Sequence, residues 1–303
     1  MPDKKIFCFG YGYCCDYLGH IMLDHGNWEV AGTTRDPEKQ ELLQARGVNA
    51  HLFSKHKPLP DLQYTLQGTT HLLIAVPPGD DGDPVFLTHG HEIAQIETIE
   101  WAGYLSTTGV YGDRDGGWVD ENAEISPTSQ RGSRRAKAEK QWLSLHQRYG
   151  FPIHLFRLSG IYGPGRSALD SVRAGVARRI HKPGHAFNRI HVEDIIQTLL
   201  ASMRRPSPGE AYNLADDKPS PSHEVISYAC ELLDLEPPPL IPFEQADMAP
   251  IARSFYNDNK RISNKKIKDQ LEVTLRHPDY MSGLQDCLAV EQYAMAIEDA
   301  MSS

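Results

Sequence analysis

The sequence predicts an α/β protein built on a doubly wound parallel β-sheet, with a smaller α/β lobe towards the carboxyl end. Three observations support this fold class. A strand, a glycine turn and a helix follow one another within the first 26 residues. Near-continuous apolar strands then alternate with helices through the first half of the chain, which is typical of a parallel sheet covered on both faces. The second half is less regular.

The individual elements follow from hydrophobic spacing and from helix stop signals. The first strand is the apolar run at 6–9, and the helix after it has Leu18 and Met22 on one face and Gly26 as its stop. Apolar runs predict further strands at 28–33, 51–53, 71–76, 101–106, 153–158 and 211–214. Helical spacing predicts helices ending near Gly47, over 128–148 with Gly150 as cap, over 192–204, and ending near Leu271.

The turn after the first strand, GYGYCC, has the glycine pattern of a dinucleotide-binding fold. Gly10 permits a tight turn, Gly12 leaves room for a pyrophosphate, and Cys15 takes the place of the third glycine. We expect Tyr13 and Cys14 to contribute to the site, because they begin a helix whose free N–H groups attract an anion. A merely structural glycine turn is the alternative.

The residue after the second strand of such a fold contacts the adenosine ribose. An acidic side chain there binds the 2′-hydroxyl of NAD, whereas an arginine accommodates the 2′-phosphate of NADP. Arg35 follows Thr33 and Thr34 in this position, and a guanidinium grips a phosphate with two hydrogen bonds. The neighbouring Asp36 is acidic and would favour NAD instead. The sequence therefore favours NADP over NAD, with a solvated loop arginine as the alternative.

Composition excludes several classes of function. The chain has 303 residues, 40% of them hydrophobic, and a net charge of −9, which argues against nucleic acid or an anionic membrane as the main partner. Five cysteines without a CxxC pattern predict reduced thiols and a cytoplasmic protein. The chain enters its first strand directly, and no apolar run approaches 20 residues, so we expect neither a signal peptide nor a membrane span.

The sequence predicts no metal site. His89 and His91 form an HxH pattern around a glycine, which we interpret as a polar surface loop because no third ligand is evident nearby. The aspartates at 80–83 lack the later glutamate of a calcium loop and predict a solvated turn. The basic run at 260–268 predicts a solvated helix face.

Five short segments in a fixed order resemble those of the extended short-chain dehydrogenases/reductases, the family of NAD(P)-dependent sugar epimerases and dehydratases. They are the glycine turn, STTGVYG at 106–112, RLSGIYGPG at 157–165, RIHVED at 189–194 and YNLADD at 212–217. The resemblance implies a Rossmann domain, predicted at 1–165 with 186–218. It implies a smaller substrate lobe, predicted at 166–185 with 219–303.

The resemblance also implies where the cofactor lies, at the carboxyl ends of the strands. The residues expected to line it besides those of the glycine turn and Arg35 are Ala75, Val76, Pro77, Ser106, Ser159 and Gly160. The partner would be a small molecule, anionic or sugar-like, and the chain a monomer or a homodimer.

The chain departs from the family at the catalytic pair. The family uses a tyrosine that exchanges a proton with substrate and a lysine four residues later. Here Arg131 and Arg135 occupy those positions, while Thr107 keeps the hydroxyl that contacts the reacting oxygen. An arginine stays protonated and cannot shuttle a proton, but it can stabilise negative charge. Tyr111 is a candidate proton donor, as are Tyr162 and His191.

Two hypotheses follow. The first is an NADP-dependent oxidoreductase or epimerase on a nucleotide-sugar-like or small polar substrate, with Thr107 and Arg131 polarising an oxygen. The second is a catalytically silent NADP-binding protein with a redox-sensing or regulatory role. The two differ in whether hydride transfer survives the loss of the tyrosine and lysine.

Overall fold

The computed structural model describes residues 4–302. The strands are β1 (Lys4–Phe9), β2 (Trp28–Thr34), β3 (Asn49–Leu52), β4 (His71–Ile74), β5 (Trp101–Thr107), β6 (Trp118–Val119), β7 (Ile153–Leu158), β8 (Gly160–Tyr162), β9 (Arg179–His181), β10 (Arg189–His191), β11 (Ala211–Leu214), β12 (Leu240–Pro242) and β13 (Arg261–Ile262). The helices are α1 (Tyr13–Asp24), α2 (Pro37–Ala45), α3 (Leu62–Thr65), α4 (Pro84–Ile93), α5 (Gln130–Tyr149), α6 (Ala168–Arg173), α7 (Val192–Arg204), α8 (Ser222–Leu232), α9 (Pro250–Ser254), α10 (Lys265–Leu271) and α11 (Tyr280–Ser302).

A seven-stranded sheet organises the fold, in the order β11-β7-β5-β4-β1-β2-β3. The pairs β1–β2, β1–β4, β2–β3, β4–β5 and β5–β7 are all parallel. The chain runs from β1 outwards to β3 and then returns to the other side of β1, so the connection reverses between β1 and β4. Ligands of doubly wound folds bind at the carboxyl ends of strands beside such a reversal. The predicted fold class is confirmed.

Contacts divide the described chain into two compact units. The first comprises residues 1–110, 125–158 and 196–212 and contains most of the sheet. Its core includes Phe7, Phe9 and Tyr104 of the sheet, and Trp142 of α5 packs edge-on against Phe86 of α4 with ring centroids 5.6 Å apart.

The second unit comprises residues 111–124, 159–195 and 213–303. It contains three two-stranded parallel pairs, β8–β10, β9–β12 and β6–β13. Helices α6, α8 and α11 form a core around Tyr162, Leu169, Ala229 and Leu284. The grouping differs from the predicted domain boundaries, which stay a prediction.

Most predicted elements are confirmed, including α7 and β11 at the predicted bounds. Three interpretations of local segments were wrong. His89 and His91 lie on α4 and not in a loop, and His89 is buried, its ring Nε2 accepting the Leu59 N–H at 3.2 Å. Asp83, predicted in a solvated turn, is buried and caps α4, and Lys260, predicted in a solvated face, is buried. The strand predicted at 51–53 is present as β3, at Asn49–Leu52. No helix within residues 4–302 is long and apolar enough to cross a membrane.

Candidate functional site

The glycine turn after β1 is held in a fixed shape by the end of β2. The Gly10 N–H donates to the Thr33 hydroxyl at 2.9 Å, and the Tyr11 N–H donates to the Thr33 carbonyl at 2.7 Å. Gly10 has a φ of +84°, which glycine adopts without strain. A Cβ at this position would lie 2.9 Å from Cγ2 of Val76. The turn therefore requires glycine at position 10 for two reasons.

Helix α1 begins behind this turn with an open N-terminus. Gly12 is the N-cap residue, and no side chain of the described residues caps the first turn. A Cβ on Gly12 would meet only the Gly10 carbonyl oxygen, at 3.9 Å. Cys15, at the third glycine position, is fully buried. An anion can thus approach the backbone N–H groups of α1 directly, as the glycine pattern predicts.

The side chain of Tyr11 anchors the turn from behind, a feature that sequence reasoning missed. Tyr11 is 3% exposed. A Cβ added at Gly19 of α1 would overlap the Tyr11 hydroxyl, and one added at Gly32 of β2 would lie 2.8 Å from Tyr11 Cδ2. The two glycines therefore leave the space that the ring fills. Their spacing relative to Tyr11 was the available signal.

A cavity of about 570 Å³, here called the glycine-loop pocket, opens in the first unit. It is lined by Gly10, Tyr11, Gly12, Thr33, Thr34, Arg35, Phe53, Ser54, Lys55, His56, Ala75, Val76, Pro77, Gly79, Asp81, Gly82, Pro84 and Leu87. Six predicted cofactor residues are thus brought together: Gly10, Gly12, Arg35, Ala75, Val76 and Pro77. Tyr13 and Cys14 are not among the lining residues; Tyr13 packs on Tyr17, with ring centroids 5.1 Å apart.

The charged residues at the end of β2 have different roles. Asp36 is the N-cap of α2, and its carboxylate accepts the backbone N–H groups of Glu38 at 3.0 Å and Lys39 at 3.4 Å. Arg35 is exposed and lines the glycine-loop pocket. Lys55 and His56 line the same cavity from the segment after β3. The acidic side chain is therefore used by the helix, while the basic ones face the cavity.

The loop after β4, residues 77–83, borders the pocket and is tied to α5. The Asp80 carboxylate accepts from Arg134 Nε at 2.7 Å and from Gln130 Nε2 at 3.1 Å. Lys137 donates to the Asp80 carbonyl at 3.1 Å. Gln141 Oε1 accepts the Asp83 N–H at 2.9 Å. The basic character of α5 is in part explained by this loop.

A buried ion pair fixes the carboxyl ends of β5 and β7 to α5. Glu139 accepts from Arg157 Nε at 3.1 Å and Nη2 at 2.9 Å, and the Ser106 hydroxyl donates to it at 2.5 Å. All three residues are buried. Ser106, predicted to contact the cofactor, thus donates its hydroxyl hydrogen to Glu139. The adjacent Thr107 is half-buried, and its hydroxyl oxygen accepts the Gly109 N–H at 3.1 Å.

The two arginines predicted to stand at the positions of the family's catalytic pair differ in environment. Arg131 is exposed in the first turn of α5. Arg135 is half-buried, and its Nη1 donates to the Leu105 carbonyl at 2.6 Å and to the Tyr104 hydroxyl at 3.1 Å. Arg135 therefore bonds to the end of β5. The cofactor contacts predicted for Arg135, and the substrate contacts predicted for Arg131, stay predictions.

The candidate proton donors lie in the second unit and are buried. The Tyr111 hydroxyl donates to Asn213 Oδ1 at 2.7 Å, and Tyr111 is fully buried. Burial raises the pKa of Tyr162 far above its usual value, and its hydroxyl donates to the Asp279 carbonyl at 3.3 Å. Burial lowers the pKa of His191 to about 3, so this imidazole is neutral near pH 7. These settings favour packing roles over proton transfer.

The second unit has a cavity of its own, of about 770 Å³, here called the lobe pocket. Its walls are mostly apolar, and Arg178, Asn188 and Arg189 add polar groups. Arg189 Nη1 donates to the carbonyls of Phe187 at 3.2 Å and Ser220 at 3.0 Å. Gly160, predicted to contact the cofactor, lines this pocket, and Ser159 precedes it with its N–H donated to the Leu214 carbonyl at 3.0 Å.

Comparison with known proteins agrees with this architecture. The sequence profile of the NAD dependent epimerase/dehydratase family matches residues 91–215. A functionally unknown conserved protein from Silicibacter pomeroyi is 45% identical, with a TM-score of 0.87 over 95% of this chain and 99% of that one. Protein YeeZ of Escherichia coli is 27% identical over 244 residues, which is 78% of this chain and 86% of YeeZ.

A more distant solved structure has the same fold. UDP-glucuronic acid 4-epimerase from Bacillus cereus, in complex with UDP-glucuronic acid and NAD, has a TM-score of 0.76 at 17% identity, over 95% of this chain and 99% of the epimerase. A doubly wound parallel sheet with a glycine turn after its first strand is the architecture of the dinucleotide-binding folds. The chain belongs to the NAD-dependent epimerase/dehydratase family, within the extended short-chain dehydrogenases/reductases.

Proposed function

We propose that this protein binds NADP(H) in the glycine-loop pocket and uses or senses it without the tyrosine–lysine pair of its family. The observation that carries the proposal is the open glycine turn of Gly10 and Gly12 in front of α1, in a cavity that Arg35 also lines. The turn fits a pyrophosphate because Gly12 puts no side chain into the space in front of α1, where an added Cβ would have only the Gly10 carbonyl oxygen within 4 Å. The epimerase from Bacillus cereus was solved with NAD, which supports a nicotinamide dinucleotide as the class of ligand.

The preference for NADP over NAD rests on the division of charges after β2. A carboxylate that binds the 2′-hydroxyl of NAD must turn towards the ribose, but Oδ1 of Asp36 accepts two backbone N–H groups of α2, which orients this carboxylate towards the helix. Arg35 lines the same pocket and supplies the cation that a 2′-phosphate requires, whereas Lys55 of this pocket is paired with Asp81 at 2.6 Å. Arg35 makes no hydrogen bond or ion pair within residues 4–302, so its guanidinium is available.

The activity that the site supports best is hydride exchange with a sugar-like or small polar substrate. The Thr107 hydroxyl can still donate a hydrogen bond, because only its oxygen is engaged, by Gly109. Arg131 is exposed at the start of α5, where its charge can stabilise an oxyanion. The substrate class is supported by the UDP-glucuronic acid in the epimerase complex.

A catalytically silent NADP-binding protein is the second candidate, and Arg135 is the observation that favours it. In the predicted register Arg135 stands where the family has its lysine. Its guanidinium donates to Tyr104 and Leu105 at the end of β5. A group bound in this way stabilises the fold and does not need to contact a ribose. A protein with this arrangement would keep the pocket for NADP but would have lost hydride transfer.

The first experiment is a fluorescence titration of the purified protein with NADPH and, in parallel, with NADH. We expect tighter binding of NADPH. Arg35→Ala should lower NADPH affinity about 10- to 100-fold, the worth of a charged hydrogen-bonded contact, and leave NADH affinity unchanged. Arg148→Ala is the matched control, because Arg148 is an exposed arginine in the last turn of α5 that does not line the pocket. Equal loss of both nucleotides in Arg35→Ala would refute the 2′-phosphate assignment.

A second experiment separates the two candidate functions. The NADP-loaded protein is screened with UDP- and dTDP-linked sugars, and nicotinamide reduction is followed by absorbance. Turnover that falls in Thr107→Ala and Arg131→Ala, with unchanged NADPH affinity, would support the enzyme. Binding without turnover across the panel would favour the silent protein. All five cysteines are free and buried.

A further inference from the structure

Four side chains with metal-ligating atoms meet in the second unit. His191 ends β10, Glu193 lies in the first turn of α7, His277 precedes α11, and Asp286 lies within α11. One ligand atom from each lies within 4.8 Å of all the others. The cluster is separate from the residues that line the glycine-loop pocket. Its members come from three parts of the chain, so the fold and not local spacing assembles it.

The distances are close to those of a loaded site. His277 Nε2 is 3.2 Å from Glu193 Oε2 and 3.9 Å from Asp286 Oδ2. His191 Nε2 is also 3.9 Å from Asp286 Oδ2, and the two imidazole centroids are 4.0 Å apart. Zinc bonds of about 2.0–2.2 Å place tetrahedral ligand atoms roughly 3.3–3.6 Å apart. The remaining pairs of ligand atoms lie up to 4.8 Å apart, so shifts of up to about 1.3 Å would bring these ligands onto one ion.

The cluster contains an unsatisfied buried acceptor. Asp286 Oδ2 is buried and receives no hydrogen bond from any residue between 4 and 302. His191 is fully buried, and the side chain of His277 is 9% exposed. A buried carboxylate oxygen without a donor is costly, and native structures leave few of them. A cation bound between the two carboxylates would remove this cost.

A second layer of hydrogen bonds positions the ligands. The Asp194 carboxylate accepts the backbone N–H groups of Arg276 at 2.7 Å and His277 at 3.1 Å, which fixes the segment that carries the imidazole. Such outer contacts are typical of metal sites because they orient the ligands. The Glu193 N–H donates to His191 Nδ1 at 3.4 Å; ligation through Nε2 requires the tautomer protonated at Nδ1 and would break this long contact.

We propose that His191, Glu193, His277 and Asp286 form a structural zinc site. Two imidazoles and two carboxylates are a donor set that suits Zn²⁺. Four protein ligands close a tetrahedral site and leave no position for substrate, so the role is structural. The ion would join the start of α7 to α11 within the second unit. The sequence prediction of no metal considered the HxH segment of α4 and the aspartates at 80–83, and did not detect this set.

The test uses tag-free full-length protein stripped with a chelator and dialysed. Zinc binding is measured by competition with a chromophoric chelator, and Co²⁺ loading is followed by its visible d–d bands. We expect one equivalent of Zn²⁺ with a higher Tm on loading. Asp286→Asn is an isosteric change at a half-exposed residue. This variant and His277→Gln should each lower Zn²⁺ affinity at least about tenfold and lose the Tm increase.

Two controls make the result specific. His20 and Asp24 form an exposed pair at 3.4 Å on α1, so His20→Ala should leave zinc binding unchanged. Cys287 Sγ lies 3.7 Å from His191 Nε2, and Cys287→Ser should also leave zinc binding intact. Absence of zinc binding by the unaltered protein, or full binding by a correctly folded Asp286→Asn variant, would overturn the proposal. Loss of binding only in Cys287→Ser would overturn the ligand set.

Discussion

Removal of Glu139 tests whether the buried ion pair holds the candidate active-site segments in place. Its carboxylate accepts two hydrogen bonds from Arg157, at 2.9 and 3.1 Å, and one from Ser106 at 2.5 Å. The Glu139 and Arg157 side chains are only 4% and 7% exposed, so solvent screens the pair weakly. Glu139→Ala leaves a buried guanidinium without its carboxylate, which costs about 3–5 kcal/mol. A protein of this kind is stable by only about 5–15 kcal/mol.

Urea denaturation followed by circular dichroism measures this loss, and two further variants identify its cause. Glu139→Gln keeps some hydrogen bonding and should lose less than Glu139→Ala. The double variant Glu139→Leu with Arg157→Met removes both charges and should recover more than half of the loss, although Ser106 then lacks its acceptor at a cost of about 1 kcal/mol.

Two outcomes would contradict this reasoning. A loss below about 1 kcal/mol in Glu139→Ala would mean that the pair contributes no more than a surface salt bridge. A double variant as unstable as the single one would show that lost packing, and not the uncompensated charge, is responsible. Either result would remove the proposed reason for the fixed position of β5 relative to α5.

Three further predictions concern the first unit. Gly10→Ala should lower the free energy of unfolding by about 1–3 kcal/mol and weaken NADPH binding, as measured by Tm and by titration. Gly26→Ala is the control, because Gly26 also has a positive φ but has nothing within 4 Å of an added Cβ, and it should not affect binding. Gly132→Ala should lower stability by about 1 kcal/mol despite better helix propensity, because its Cβ would lie 2.6 Å from the Gly109 carbonyl oxygen; unchanged Tm would contradict this. Burial lowers the pKa of His71 to about 4. The contribution of this neutral imidazole to the free energy of unfolding is therefore complete above about pH 6.5 and is lost as the pH falls through 4. His71→Gln should reduce, by up to roughly 3 kcal/mol, the decrease in the free energy of unfolding that acidification causes. Identical profiles of unfolding free energy against pH for the two proteins would contradict this prediction.

The parts of the fold that sequence predicts are those encoded by local periodicity. The apolar run of β7 and the helical spacing of α7 are local patterns in the sequence, and both elements match the prediction. Helix α4 was not predicted, because its HxH segment was interpreted as a polar surface loop. Its start was visible, since Asp83 caps the helix through the N–H groups of Val85 and Phe86 and Pro84 opens it.

The site was predictable where a single segment forms it and unpredictable where distant segments meet. Gly10, Gly12 and Arg35 lie in the pocket as predicted, because the position of each follows from a strand end. The ring of Tyr11 between two glycines and the carboxylate of Asp286 beside two histidines depend on tertiary packing. No spacing pattern along the chain predicts these tertiary contacts.

The packing of Tyr11 has a genetic consequence. An added Cβ at Gly19 would meet the Tyr11 hydroxyl before any other atom, so positions 11 and 19 behave as one steric unit. A larger residue at 19 is tolerated only after residue 11 becomes smaller, whereas at 32 the backbone carbonyl oxygen of Cys8, 2.7 Å from an added Cβ, opposes any side chain. In a saturation mutagenesis library, we expect strong positive epistasis between positions 11 and 19. Selection for nucleotide binding would then recover their substitutions in combinations and rarely alone.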